Sequence, residues 1–246
     1  MNSEIEENHE QIVALDVSSS REAAEAVRRI GDAVSFYKVG LELFVADGPE
    51  TLRMLRGEGK RIFLDLKLHD IPRTVARATE SCMRFGVDLL TVHAQGSSAM
   101  IAAAAEAVRQ AGAGTRILAV TLLTSLDASD LSALGVTRSV EEQVFELGRL
   151  AVGSGAHGLV CSPREAAALR AALGPSPLLV TPGVRPAGAD VGDQKRVSTP
   201  YDAILAGASH VVVGRPVMCA PDPRAAALAI RAEIERAEAA LMSRQQ

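Results

Sequence analysis

The chain repeats one pattern eight times: a short apolar run, then in most cases a longer amphipathic one. The apolar runs are Gln11–Asp16, Ser35–Gly40, Arg61–Lys67, Val87–His93, Arg116–Leu122, Gly158–Ser162, Leu178–Thr181 and His210–Gly214. Short runs bounded by turn residues suit strands buried on both faces. Strands that alternate with helical stretches pair in parallel, because each helix carries the chain back to the starting edge. Eight such units in 246 residues predict an α/β chain closed into a single (β/α)8 TIM barrel, an architecture of about 250 residues.

Helix signals sit between the strands. Ser18-Ser19-Ser20 offers an N-cap before the run to Ile30, and Gly31 ends it. Gly48-Pro49-Glu50 opens a second helix, and Pro72 sits in a first turn ahead of Thr74–Phe85. Further helices are expected over Ser97–Gln110, Val140–Val152, Pro163–Leu173, a short stretch after Thr199, and Pro221–Met242. No linker, charge block or low-complexity tract divides the chain, so the barrel is expected over residues 11–242 with a flexible tail over 1–10. Two connections exceed the usual loop of about 4–6 residues. Thr124 to Arg138 is expected to hold a short helix. Pro182 to Ser198, with Gly183, Pro186, Gly188, Gly192 and Asp193, reads as a lid over the barrel mouth.

Composition removes several function classes. The net charge of −4, with no basic stripe and 3% aromatic residues, argues against a nucleic-acid partner. No apolar run approaches the roughly 18 residues of a membrane span. Cys82, Cys161 and Cys219 form no CxxC pair and read as buried, reduced thiols of a cytoplasmic protein. The acidic start, Met1 to Glu7, lacks a signal-peptide pattern. The five histidines show no paired metal spacing. Gly153-Ser154-Gly155-Ala156-His157-Gly158 has GxGxxG spacing, yet it follows a helix and precedes a strand, the reverse of a dinucleotide site.

The polar residues gather at the C-terminal strand ends, where this architecture builds its active sites. Asp16, Lys38, Asp65 with Lys67, His93, Thr121 with Thr124, Pro182-Gly183 and Gly214-Arg215 all fall there. Within Asp65-Leu66-Lys67-Leu68-His69-Asp70, strand alternation puts Asp65 and Lys67 on one face. Buried charges are costly unless paired, so Asp16, Lys38, Asp65 and Lys67 converging from three strands read as a site, with a paired structural cluster as the alternative. Gly214-Arg215 before a helix suits an anion, or a turn glycine beside a solvated arginine. His157 and His210 start strands and read as structural. His93 on the active face fits packing and catalysis equally.

Phe63-Leu64-Asp65-Leu66-Lys67-Leu68-His69-Asp70-Ile71-Pro72-Arg73-Thr74 closely resembles the signature of the orotidine 5'-phosphate decarboxylase family. Tyr37-Lys38-Val39-Gly40, Thr121-Leu122-Leu123-Thr124-Ser125, Thr181-Pro182-Gly183-Val184-Arg185 and Gly192-Asp193-Gln194 support the resemblance. It implies conversion of orotidine 5'-phosphate (OMP) to UMP without metal or organic cofactor. By the same resemblance, Lys38, Asp65, Lys67 and Asp70 form an alternating charged network, with Lys67 as proton donor. Asp16 and Lys38 hold the ribose hydroxyls, Thr124 reads the pyrimidine edge, and Pro182 and Val184 lie near the ring. Arg185, Gln194, Gly214 and Arg215 bind phosphate, and the loop carrying Gln194 closes. Asp70, Ile71 and Thr74 are donated to the neighbouring subunit's site in a homodimer. Two rivals stand beside this reading: a related barrel enzyme acting on a keto-sugar phosphate through a metal ion, and a non-catalytic nucleotide-binding protein.

Overall fold

The computed structural model describes residues 9–186 and 198–244. In chain order these form β1 (Glu10–Ala14), α1 (Ser20–Ile30), β2 (Phe36–Gly40), α2 (Leu41–Gly57), β3 (Arg61–Leu68), α3 (Pro72–Met83), β4 (Leu89–His93), α4 (Ser97–Ala111) and β5 (Arg116–Val120). There follow α5 (Ala128–Ala133), α6 (Val140–Gly153), β6 (Gly158–Val160), α7 (Pro163–Leu173), β7 (Leu178–Pro182), α8 (Pro200–Leu205), β8 (His210–Val213), α9 (Arg215–Met218) and α10 (Pro223–Arg244). Every strand pairs in parallel with the next, and β1 pairs with β8, so the expected (β/α)8 barrel is closed.

Alternation along each strand makes two apolar layers. Ile12, Ala14, Phe36, Phe63, Leu89, Leu118, Val180 and Val212 pack against one another inside the barrel. Their strand neighbours Val13, Tyr37, Leu64 and Leu90 turn outward into the core beneath the helices. Burial on both faces explains the unbroken apolar runs, at about 1.5–3 kcal/mol for each large side chain removed from water. One inward position further along, the pattern changes: Phe36 is followed by Lys38, Phe63 by Asp65, and Leu89 by Thr91. The apolar layer is therefore the floor on which a polar layer rests.

Local chemistry sets the element ends. The Ser19 hydroxyl accepts the Glu22 N–H at the start of α1, and Gly31 (φ 66) ends that helix. Reciprocal capping boxes open α6 (Ser139 with Glu142) and α7 (Ser162 with Glu165), each cap contributing about 1 kcal/mol. At the barrel's N-terminal end, Arg61 lies 4.1 Å over the Phe36 ring. It pairs with Glu10, and its Nε stands 3.7 Å from Asp88. His210 approaches the same Glu10 carboxylate at 3.6 Å.

Two expectations need correction. α2 starts at Leu41, not at Gly48; Asp47 (φ −145, ψ 33) breaks it into two helical segments. Pro49 falls in the first turn of the second segment, where a missing N–H costs nothing. The Asp47 carboxylate accepts the N–H and hydroxyl of Ser20 at 3.0 and 3.1 Å, which ties the break to α1. The helix expected at Gly214-Arg215 is present as α9, a single turn separate from the closing helix. Cys82 and Cys161 are buried, but Cys219 is exposed at the end of α9. No helix among the described residues is long and apolar enough to cross a membrane. The expected lid residues Gly188, Gly192, Asp193 and Gln194 lie outside the described residues.

Candidate active site

Four side chains form a linear charged chain at the C-terminal mouth. Lys38 Nζ donates to Asp16 Oδ1 at 3.2 Å and stands 3.9 Å from Asp65 Oδ2. Lys67 Nζ donates to that same Asp65 oxygen at 2.9 Å. Exposure rises outward from Asp65: 13% for its side chain, 14% for Lys38, 29% for Lys67 and 60% for Asp16. The gross attraction across 2.9 Å is about 6 kcal/mol at an effective dielectric of 20. Desolvation of partly buried charges consumes much of it. The pairing therefore fixes orientation more than it adds stability.

The Lys67 side chain reaches this position from an unusual backbone. Its φ is 51, in the left-handed region that side-chain-bearing residues rarely occupy. The β3–β4 ladder is irregular at the same place. Leu64 pairs with Leu90 and Leu68 with Val92, so three residues of β3 face Thr91 alone. Asp65 and Lys67 thus meet across a bulge and not on a flat pleat. Thr91 is fully buried. Its Oγ1 accepts the Lys67 backbone N–H at 2.8 Å and donates to Asp65 Oδ1 at 2.9 Å.

Glycine makes room for the charged groups. A Cβ on Gly40 would stand 2.9 Å from Lys38 Nζ, and one on Gly214 would stand 3.2 Å from Asp16 Oδ2. His93 ends β4 and stacks on His69, with ring centroids 5.4 Å apart. Burial holds its pKa below the usual histidine value, and the charges of His69 and Lys67 lower it further. The shift favours the neutral imidazole.

A cavity of about 220 Å3 opens beside the charged chain. Phe63, Val120, Val160 and Val212 line it on the apolar side, Lys38, Asp65 and Lys67 on the charged side, with Thr124 and Pro182 also in its wall. Cys161 joins the wall; burial, with Glu165 beside it, pushes its thiol well above the ordinary range. A wider groove of about 750 Å3 beside α4 lies toward the other end of the barrel, near Arg116 and His157 at the strand starts.

The remaining expected residues divide. Arg215 is exposed at the start of α9, directly after Gly214. Arg185 is buried, and its guanidinium donates to the Val184 carbonyl at 3.1 Å. Val184 is wholly buried in the core under the helices, not in the cavity wall. Asp70 stands apart from its own chain's network: it is exposed, and its Oδ1 accepts the Ile71 N–H at 2.6 Å. Ile71 and Thr74 are exposed beside it. Sequence reasoning missed Thr91, Gly40 and Cys161. The available signal for Thr91 was a hydroxyl in the inward register of Leu89 and His93, within an otherwise apolar strand.

A closed parallel barrel with paired lysines and aspartates at its C-terminal mouth defines a (β/α)8-barrel enzyme. The model of the orotidine 5'-phosphate decarboxylase / HUMPS family matches residues 10–230, and the chain belongs to that family. Its relatives include the orotidine 5'-phosphate decarboxylase of Anaeromyxobacter sp. (strain K), 56% identical over 219 residues that cover 89% of this chain and 95% of the relative. The protein of the same name from Moorella thermoacetica is 52% identical over 230 residues, 91% of each chain. Among solved structures, orotidine 5'-phosphate decarboxylase from Lactobacillus acidophilus matches with a TM-score of 0.82 at 39% identity, over 92% of this chain and 99% of that one.

Proposed function

We propose that this protein is a carboxy-lyase that converts OMP to UMP and CO2 in de novo pyrimidine biosynthesis, using no cofactor. The observation that carries the reading is the Asp16–Lys38–Asp65–Lys67 chain beside the cavity, in a member of this family. When the bond from C6 to the carboxylate breaks, its electron pair stays on C6 in an in-plane orbital that the ring cannot delocalise. An ammonium fixed beside C6 stabilises that charge as it develops, without reorganisation at the moment of reaction. Lys67 is that ammonium. It then gives a proton to C6, forming UMP, and is reprotonated from solvent.

The base occupies the cavity, with Thr124 at its polar edge and Pro182 against the ring. Asp16 and Lys38 hold the ribose hydroxyls. Gly214, Arg215 and Arg185 bind the phosphate, together with Gln194 from outside the described residues. Phosphate contacts remote from C6 bring binding energy to bear on the reacting centre.

The working unit is a homodimer. Asp70, Ile71 and Thr74 of one subunit complete the site of the other; their joint exposure beside the mouth supports this. An Asp70 carboxylate about 4 Å from the departing carboxylate would add a repulsion of about 4 kcal/mol at an effective dielectric of 20. Stabilisation of the carbanion remains the main effect.

Loss of OMP absorbance in the ultraviolet tests the activity directly. Lys67→Ala is expected to abolish it while retaining the wild-type circular dichroism spectrum and UMP binding; near-normal turnover by that variant overturns the proton-donor role. EDTA is expected to leave the rate unchanged, and a chelator-sensitive rate would move the protein to the metal-using keto-sugar branch.

A further inference from the structure

We infer that Thr91 is a positioning residue: its single hydroxyl sets the Lys67 ammonium and the Asp65 carboxylate in register with one another. This rests on the reading of Lys67 as the proton donor above. The bulge in β3 sets three residues, Asp65 to Lys67, against Thr91 alone. Backbone groups there lose regular ladder partners, and a buried N–H without a partner is costly. The Thr91 side chain fills the gap. Its Oγ1 lies 2.8 Å from the Lys67 N–H and 2.9 Å from Asp65 Oδ1.

Chemistry fixes the direction of both bonds. The backbone N–H can only donate and an ionised carboxylate can only accept, so the hydroxyl accepts from one and donates to the other. With Oδ1 of Asp65 held by Thr91, Oδ2 is left for the ammonium groups of Lys67 at 2.9 Å and Lys38 at 3.9 Å. The same hydroxyl holds the residue whose φ is 51; such a backbone persists only where its surroundings over-determine it. Thr91 is fully buried and does not line the cavity. Its effect on catalysis therefore passes through Lys67 and Asp65, not through contact with substrate.

The test compares Thr91→Val, which keeps the shape and loses the hydroxyl, with Thr91→Ser, which keeps the hydroxyl. Lys67→Ala and the wild-type enzyme are measured alongside. A misplacement of about 1 Å can cost about 100-fold in rate. Thr91→Val is expected to lose about 10- to 100-fold in kcat while UMP affinity holds, and Thr91→Ser to recover most of that loss. Wild-type kcat in Thr91→Val, or an equal loss in Thr91→Ser, overturns the inference. If Thr91→Val does not fold, Thr91→Ala takes its place with the same expectation; failure of both to fold makes the hydroxyl a folding element and overturns the positioning role. A fully active Lys67→Ala, or a wild-type protein that leaves OMP unchanged, refutes the underlying reading instead. Inactive Lys67→Ala beside fully active Thr91→Val refutes the role of Thr91 alone.

Discussion

Residue 67 should be a position where glycine is more stable than alanine, the reverse of the usual order within a strand. Its φ of 51 costs a residue with a Cβ about 1–2 kcal/mol, and glycine almost nothing. Against this, glycine frees the unfolded chain and normally loses about 0.5–1 kcal/mol to alanine in a regular element. Lys67→Gly and Lys67→Ala both delete the ammonium paired with Asp65 at 2.9 Å, so that loss cancels between them. The difference that remains favours glycine by about 0–1.5 kcal/mol, centred at about 0.75. For a chain of this size, each kcal/mol moves Tm by about 2–4 °C, so at the centre of that range the glycine variant should melt about 1.5–3 °C higher. Urea or thermal unfolding at matched protein concentration measures the gap, with equal m-values as the control for a common unfolded state. Neither variant should turn over OMP, which leaves stability as the clean readout. An alanine variant more stable than the glycine variant would mean that the backbone at residue 67 is relaxed, and the reasoning would fail.

Mixing inactive Asp70→Asn and Lys67→Ala homodimers should restore activity, because one of the two sites in each hybrid carries both native residues; no recovery after verified subunit exchange would count against a shared site. Burial alone would raise the pKa of the Glu10 carboxyl, but the nearby His210 imidazole and the paired Arg61 guanidinium outweigh it and lower it. A depressed folded-state pKa contributes stability above the unfolded value, about 4.3, and loses it as pH falls through the folded value. Glu10→Gln should therefore cost about 1–2 kcal/mol at pH 7, with the gap to wild type closing as the solution is acidified below pH 4; a gap that widens there would contradict the assignment. A thiol reagent at neutral pH should label Cys219 in the native protein, while Cys82, pushed up to about 11 by burial, and Cys161 should react only after unfolding. Mass spectrometry of the labelled chain decides this.

The barrel was legible because parallel strands buried on both faces leave unbroken apolar runs, and all eight lie within two residues of expectation at each end. The charged chain was legible for a related reason. Lys38 and Asp65 interrupt the inward register just above Phe36 and Phe63, which is a local signal. Thr91 was not legible as part of the site, since its role comes from the β3 bulge, and register between strands is a tertiary property. The left-handed φ of Lys67 was hidden for the same reason, because nothing in Leu66-Lys67-Leu68 demands it. The early start of α2 was masked by Gly48-Pro49, which punctuates the helix instead of opening it. Cys219 resembled the buried cysteines in sequence; only the turn between α9 and α10 exposes it.

The floor of the barrel has a consequence for traffic. Ile12, Phe36, Phe63, Leu89, Leu118 and Val180 leave at most 1% of their surface open, so among the described residues the floor is sealed and the barrel interior is reached from the C-terminal mouth. A nucleotide that enters, a gas molecule that departs and the product that follows must all share the same passage. A substitution at that mouth therefore acts on entry and on release together.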